Sequence, residues 1–156
     1  MDFFMDEKEV SLCWLIPENE RGDLHLPRYA TAGAAGMDVE AAISGVLVIK
    51  PGETALIPTG FGVALPVGYE FQVRPRSGLA IKFGMTLVNS PGTIDSDYRG
   101  EIKIAMINLG RQDFVVHRGD RIAQLVLAPV TRCNFLVAEI LEGTSRASGG
   151  FGHTGL

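Results

Sequence analysis

Residues 69–84 decide the fold class; they read Tyr69-Glu-Phe-Gln-Val-Arg-Pro-Arg-Ser-Gly-Leu-Ala-Ile-Lys-Phe-Gly84. The first half alternates apolar and polar residues with a period of two, which is typical of a strand with one buried face. The second half follows Pro75 and predicts a short helix that is capped by Ser77 and ends near Gly84. This stretch therefore indicates a protein built mainly of strands, with one short helix.

Similar strand-like runs lie on both sides of this stretch, and each is short. The chain contains 19 Gly and 8 Pro, and these turn-forming residues are numerous enough to end many short elements. Residues 121–127 form the most continuously apolar run and predict an interior strand. The pattern as a whole predicts an all-β, jelly-roll-like barrel or sandwich. The other runs are residues 46–49, 54–57, 61–65 and 101–106.

Length and composition restrict the class of protein further. A chain of 156 residues with 46% hydrophobic and 21% charged residues predicts one soluble domain covering residues 1–156. The formal net charge of −4 disfavours binding of duplex nucleic acid through bulk charge. No apolar run reaches the roughly 20 residues that span a membrane. An acidic N-terminus and two isolated cysteines, Cys13 and Cys133, predict a cytoplasmic protein without a secretion signal, although neither cysteine has an evident role.

The two ends of the chain differ in composition from the rest. We expect residues 1–9 to form a disordered N-terminal extension. Residues 143–156 are rich in Gly and small polar residues, so they predict a flexible C-terminal arm that becomes a mobile lid when a ligand is bound.

Several familiar catalytic patterns are missing from the sequence. The Gly-rich stretch from Gly78 to Gly84 is not a P-loop, and no serine lies in a nucleophile elbow. His25, His117 and His153 are scattered without the spacing of metal ligands.

Three segments offer polar chemistry, and each also has a simpler explanation. Asp95 and Asp97 would share one face of an extended segment, but an Asx-rich hairpin with solvated acids explains them as well. Arg76 at the start of the predicted helix would bind an anion, or it is an exposed arginine beside a helix cap. The arm that carries Arg146 and Phe151 would close over a ligand, or it is an unstructured terminus. Taken together, anion-binding groups beside paired carboxylates indicate a nucleotide bound with Mg²⁺.

Five sequence blocks, in this order and spacing, resemble the motifs of the trimeric dUTP nucleotidohydrolases (dUTPases). The similarity covers roughly residues 10–156. Two positions depart from the family pattern, because Ala147 stands where the family often has Gly and His153 where it often has Ser. The blocks are Ala35-Gly-Met-Asp-Val39, Pro75-Arg-Ser-Gly-Leu-Ala80, Gly92-Thr-Ile-Asp-Ser-Asp-Tyr-Arg-Gly100, Arg118-Gly-Asp-Arg-Ile-Ala-Gln124 and Arg146-Ala-Ser-Gly-Gly-Phe-Gly-His-Thr-Gly155.

The resemblance implies a jelly-roll homotrimer with active sites at the subunit interfaces, which converts dUTP to dUMP and pyrophosphate. It implies that Asp95 is the catalytic base that activates water for attack on the α-phosphorus, and that Asp38 holds Mg²⁺ through water. Phosphate contacts would come from a set of motif residues, with the Phe151 ring closing over uracil. That set is Arg76, Ser77, Gly78, Gln124 and Arg146, and Gly152 beside Phe151 would be a further substrate contact.

The resemblance also assigns recognition of the base and the sugar. Backbone groups in the hairpin between Asn89 and Lys103, around Thr93 and Ile94, would imitate a pairing partner for uracil. Tyr98 would pack against the deoxyribose and exclude a 2′-hydroxyl. Two rival functions remain at this point: a dCTP deaminase, which shares the fold and the trimer, and a catalytically silent nucleotide sensor or trimeric interaction protein.

Overall fold

The computed structural model describes residues 7–150 as short strands with two small helices. Neither helix is long or apolar enough to cross a bilayer. Residues 1–6 of the predicted N-terminal extension lie outside the described part, as do residues 151–156, which contain Phe151 and Gly152. Within residues 7–150 the strands are Ser11–Trp14 (β1), Arg28–Tyr29 (β2), Met37–Glu40 (β3), Val46–Ile49 (β4), Thr54–Pro58 (β5), Phe61–Ala64 (β6), Tyr69–Arg74 (β7), Met85–Leu87 (β8), Gly92–Ile94 (β9), Lys103–Asn108 (β10), Phe114–His117 (β11) and Arg121–Pro129 (β12).

The strands pair antiparallel in four sheets of two to five strands. The largest has the order β2-β3-β12-β7-β9, so β12 is an interior strand as its apolar run predicts. The others have the orders β5-β10-β8, β1-β6 and β11-β4. These sheets enclose one core, and in the described part of the chain they do not close into a barrel, so the all-β prediction is confirmed without a closed barrel.

The core is formed by the buried faces of the strands. In β7 the period-two pattern buries Phe71 and Val73, which are 3% and 4% exposed. Asn108 is a fully buried polar side chain, and its amide donates to the backbone carbonyls of Ile49 and Gln112, both at 2.8 Å. Its Oδ1 accepts the Gly110 N–H at 2.8 Å, so every polar atom of this side chain has a partner.

Helix α2, Ser77–Phe83, occupies the predicted place but begins differently from the prediction. Ser77 is its first helical residue rather than its cap, so the predicted capping role is wrong. Arg76 is the N-cap residue, with an extended backbone and no capping bond from its side chain. The helix ends at Gly84 as predicted, because a φ of 70° lets Gly84 donate its N–H back to Ala80 at 3.0 Å.

A one-turn helix, Glu18–Arg21 (α1), is a feature that the sequence pattern does not predict. The segment that carries α1 is held to the body of the protein by Arg118. Its Nε donates to Asp23 Oδ1 at 2.8 Å, and its NH2 group donates to the Glu20 carbonyl. The hydrogen bond from Arg118 also lowers the pKa of the Asp23 carboxyl below its usual value.

Candidate functional site

Asp38 lies at the centre of a polar cluster on the five-stranded sheet. Its Oδ1 accepts a hydrogen bond from Arg76 Nε at 2.9 Å, and its Oδ2 accepts one from Arg121 Nη1 at 3.0 Å. Arg76 Nη1 also donates to the Arg121 backbone carbonyl at 2.9 Å. The guanidinium of Arg76 is therefore fixed along two of its edges, and one carboxylate joins two cations. We call Asp38, Arg76, Arg121 and Gln124 the arginine cluster.

A β-bulge in β12 brings Arg121 into this cluster. Gln124 lies opposite Asp38 on β3, yet Arg121 lies opposite Glu40, so the register shifts by one residue between them. The residues that follow Arg121 are Ile122 and Ala123, and both are buried. Because the shift adds one residue to the period of two, Arg121 and Gln124 reach the same face of the sheet although they are three positions apart.

Gln124 is held in the cluster by a close approach to a glycine. Its Nε2 donates to the Pro75 carbonyl at 3.0 Å, directly before Arg76. A Cβ at Gly36 would collide with the Gln124 side-chain oxygen, so a larger residue there would displace the Gln124 side chain from this position. Gly36 belongs to the first sequence block, Pro75 to the second and Gln124 to the fourth, so these contacts bring three of the five blocks together.

Ser77 and Gly78 begin α2 beside the arginine cluster, and both are exposed. The structure thus brings together five of the predicted phosphate and metal residues in one chain. They are Asp38, Arg76, Ser77, Gly78 and Gln124.

Asp95 and Tyr98 lie in a different part of the molecule, in the turn that follows β9. The Tyr98 N–H donates to the Asp95 carbonyl at 3.1 Å, so the segment turns instead of extending, and the condition for a shared face of Asp95 and Asp97 is not met. Both carboxylates are exposed. Tyr98 Oη donates to the Glu101 carbonyl at 3.0 Å, which holds the ring over Gly100, where a Cβ would collide with it.

The predicted base-recognition residues lie around the same turn. Thr93 and Ile94 belong to β9, which pairs with β7 through Thr93 opposite Gln72. Asn89 is exposed in the segment before β9, and Lys103 starts β10 with its ammonium 3.6 Å from Glu101 Oε2. The backbone of β9 is therefore fixed on one edge by β7, with its other edge unpaired in the sheet.

Of the predicted arm residues, the structure describes Arg146, whereas Phe151 and Gly152 lie outside the described residues. Residues 143–150 lie at the surface, and Arg146 Nε donates to the Gly149 carbonyl at 2.9 Å within its own turn. Ala147 has a φ of 43°, in the left-handed region that favours glycine. This explains why glycine suits that position better than the alanine of this chain.

The described residues contain no group of three or more His, Cys, Asp or Glu side chains that could enclose a metal ion. Mg²⁺ does not need such a cage, because it keeps several waters and is commonly held by one or two carboxylates with substrate phosphates. Asp38 fits that role, since each of its oxygens accepts one hydrogen bond from an arginine of the described chain and retains a lone pair for a water.

Sequence reasoning missed Arg121 as a member of the site. The signal was present, because Arg121 lies in the same sequence block as Gln124. A strict period of two would place these two residues on opposite faces of the sheet. The bulge that brings them to the same face cannot be recognised in the sequence, because the run around it is apolar without alternation.

Known proteins match this chain over most of its length. The family model described as dUTPase matches residues 23–155. A deoxyuridine 5'-triphosphate nucleotidohydrolase of Desulfotalea psychrophila is 59% identical over 150 residues, which is 96% of this chain and 99% of that protein. One from Syntrophotalea carbinolica is 60% identical over 130 residues, covering 83% of this chain and 88% of that protein.

Solved structures match the fold. The dUTPase of Staphylococcus bacteriophage 80alpha, with dUpNHpp bound, superimposes with a TM-score of 0.83 over 96% of this chain and 100% of that chain, at 24% identity. A D95N mutant dUTPase from phage phi11 of S. aureus, described with a structural Mg(II) ion, gives a TM-score of 0.75 at 23% identity over 87% of this chain and 100% of that chain. Together with the family model and the bacterial relatives, these matches establish that the chain belongs to the dUTPase family, the jelly-roll enzymes that hydrolyse dUTP.

Proposed function

We propose that this chain acts as a homotrimer that hydrolyses dUTP to dUMP and pyrophosphate, with Asp95 orienting and activating the attacking water. The reaction would limit the incorporation of uracil into DNA and supply dUMP for thymidylate synthesis. The observation that carries the trimeric site is the placement of Asp95 and Arg76 at opposite ends of one strand.

The distance between the two ends follows from the strand register. Phe71 of β7 pairs with Ile94 of β9, so Asp95 lies beside the start of β7, whereas Arg76 lies two residues beyond its end. A strand of six residues spans about 20 Å at ~3.3 Å per residue. A water held by Asp95 must come within about 3 Å of the phosphorus it attacks. The α-phosphate at Asp95 and the phosphates at Arg76 cannot then belong to one nucleotide unless two chains supply the two groups.

The C-terminal part of the chain supports assembly independently. After β12 a run of large apolar side chains lies at the surface of the single chain, where none of them is packed. A patch of this kind is typical of a protein–protein interface. These side chains are Phe135, Leu136, Val137, Ile140 and Leu141, which are 85–103% exposed.

Asp95 suits the role of base because its carboxylate is exposed on a turn with a fixed backbone. The bond from the Tyr98 N–H to the Asp95 carbonyl closes the turn, so the backbone that carries the Asp95 side chain is fixed. In-line attack on a phosphate needs a positioned water more than a strong base.

The arginine cluster is the proposed phosphate site. Arg76 is held by Asp38 and the Arg121 carbonyl, and Ser77, Gly78 and Gln124 lie beside it. Arg146 would contact the γ-phosphate from the arm. Such a set of local donors lets a chain of net charge −4 bind a triphosphate.

Mg²⁺ is the proposed cofactor, held by Asp38 through water and by the substrate phosphates. When bound, the ion would neutralise phosphate charge and help to fix the phosphate conformation. The chain's own contribution is to hold Asp38 in place between two guanidinium groups.

Uracil would be recognised in the hairpin by backbone groups near Asn89, Thr93, Ile94 and Lys103, and Phe151 with Gly152 would cover it. A site that imitates the pairing partner of uracil rejects cytosine, because the reversed donors and acceptors on the pairing edge of cytosine would leave buried polar groups unpaired. Tyr98 would exclude the ribose 2′-hydroxyl, since its ring is fixed by the bond to Glu101. We propose a cytoplasmic enzyme with no nucleic-acid or membrane partner.

One experiment tests this proposal against its rivals. Turnover of dUTP, dCTP, dTTP and UTP is measured side by side with Mg²⁺, with release of pyrophosphate and of ammonia followed separately. Pyrophosphate from dUTP alone is the expected result. Ammonia from dCTP would establish the deaminase instead, and binding of dUTP without either product would establish a silent sensor.

A further inference from the structure

Arg76 and Asp38 form an unusual arginine–carboxylate pair. Such pairs commonly form two parallel hydrogen bonds, with one carboxylate facing one edge of the guanidinium. Here only Oδ1 of Asp38 faces Arg76, through Nε at 2.9 Å, and Arg76 Nη1 donates to the Arg121 backbone carbonyl. The second oxygen, Oδ2, is occupied by Arg121 at 3.0 Å.

Arg121 is directed to Asp38 because its nearer cross-strand neighbour is already occupied. Glu40 lies opposite Arg121 in the register of β3 and β12. The Glu40 carboxylate accepts the His25 backbone N–H at 2.9 Å, and the His25 ring nitrogen lies 3.1 Å from its other oxygen. Arg121 passes this group and bonds to Asp38, two residues away on the same face.

We propose that Arg121 is a positioning residue for Arg76. The bond from Arg121 Nη1 directs Oδ2 of Asp38 toward Arg121, so the carboxylate contacts Arg76 through Oδ1 alone, and the Arg121 backbone carbonyl holds Arg76 Nη1. The remaining nitrogen of Arg76 is then free to face a phosphate. The Arg121 side chain is 55% exposed and the Arg76 side chain 26% exposed, so Arg121 lies nearer the solvent and Arg76 is the more buried of the two. This inference rests on the proposed function of the arginine cluster as a phosphate site.

The primary test measures affinity rather than turnover. Arg121→Gln is titrated with the imido analogue of dUTP and with deoxyuridine. We expect the affinity for the triphosphate analogue to fall by about 10-fold, the cost of one lost charged hydrogen bond, and the affinity for deoxyuridine to stay unchanged. Arg121→Lys keeps a cation at Oδ2 and should restore most of the loss. Arg111→Gln removes an equal charge from an exposed loop between β10 and β11 and is the matched control.

A double-mutant cycle distinguishes positioning from direct contact. Arg121→Gln is combined with Arg76→Gln, and the affinity for the imido analogue of dUTP is measured in all four chains. If Arg121 acts through Arg76, its loss should cost less than about 2-fold in the Arg76→Gln background, within the usual error of additivity. A full 10-fold effect in that background, or an effect below 2-fold in the parent chain, would overturn the proposal.

The proposed function and this inference fail in different ways. If the parent chain releases no pyrophosphate from dUTP, the proposed function is wrong, but the effect of Arg121→Gln on binding of the triphosphate analogue is still measured. If the parent chain is active and Arg121→Gln weakens the triphosphate analogue and deoxyuridine equally, the role of Arg121 is general stability and the inference is wrong.

Discussion

Asp95 and Arg76 lie at opposite ends of β7, separated by the length of the strand. Asp95 follows β9, whose Ile94 pairs with Phe71 near the start of β7, and Arg76 follows the strand's last residue, Arg74. Each residue is bonded to another residue of its proposed role. The Tyr98 N–H donates to the Asp95 carbonyl, and Arg76 donates to the Asp38 carboxylate. The proposed site, which uses both residues on one nucleotide, therefore requires two chains.

This arrangement predicts complementation between two inactive variants. Asp95→Asn and Arg76→Gln chains should each be nearly inactive as homotrimers. Mixing them under conditions that exchange subunits should restore activity, because some interfaces then join an intact Asp95 to an intact Arg76. The measurement is dUTP turnover before and after mixing, with the subunit composition verified by mass. Verified mixed trimers that stay inactive would place both residues in one chain's site.

Loss of the Asp95 carboxylate should remove the proposed base while leaving the fold intact. Asp95 is exposed on its turn, so Asp95→Asn has no packing consequence. We expect kcat to fall by at least about 100-fold, the typical contribution of a general base, with affinity for the imido analogue retained. Asp97→Asn, in the same turn, is the matched control. Near-normal turnover in Asp95→Asn with a loss in Asp97→Asn would exchange the two assignments.

Tyr98 should determine the choice between deoxyribose and ribose. Its ring lies over Gly100 and its hydroxyl is bound to the Glu101 carbonyl, which fixes the ring position. Tyr98→Ala should open space beside C2′ and raise the rate with UTP relative to dUTP. Tyr98→Phe keeps the ring and should preserve most of the discrimination. An unchanged ratio of kcat/KM for dUTP and UTP in Tyr98→Ala would show that another group excludes the hydroxyl.

Sequence patterns predicted the strands of this fold more closely than the segments that connect them. Period two identifies β7, and the continuous apolar run of residues 121–127 identifies the interior strand β12. Helix α1 was missed because a single turn depends on tertiary bonds from Arg118, which no local pattern records.

For the candidate site, the sequence likewise predicted residues better than it predicted their local geometry. The sequence blocks supplied Asp38, Arg76 and Gln124, and the structure brings them together. The role of Ser77 as a cap was wrong because the residue before it is the N-cap. Arg121 was overlooked because the bulge that turns it onto the polar face depends on pairing with β3.

Asn108 should make a large contribution to stability. Asn108→Ala would leave the buried Ile49 carbonyl, the Gln112 carbonyl and the Gly110 N–H without this partner. We expect the free energy of unfolding to fall by about 3 kcal/mol, as buried groups without partners cost ~1–3 kcal/mol each. Chemical denaturation measures the change, and Asp113→Ala at an exposed position is the control. A change below about 1 kcal/mol, within the effect of an ordinary substitution, would contradict this role.

The C-terminal arm should be needed for turnover and not for folding. Residues 143–150 lie at the surface, and Arg146 is bound only within its own turn by the Gly149 carbonyl among the contacts described. Ordering the arm over a nucleotide costs roughly 1–2 kcal/mol per residue, and contacts from Arg146 and Phe151 would offset it. Deleting the residues after Thr144 should therefore leave a folded trimer that binds dUTP and hydrolyses it poorly.

Two further variants test whether the arm acts as a lid on a neighbouring chain. Ala147→Gly removes a side chain at a φ of 43° and should give turnover at least equal to that of the parent, because glycine favours this backbone. Truncated chains mixed with Asp95→Asn chains should regain activity, since one site can then combine an intact Asp95 with an arm from a second chain. Full activity of the truncated protein alone would refute the lid. Mixed trimers that remain inactive would show that each arm closes over its own chain's Asp95.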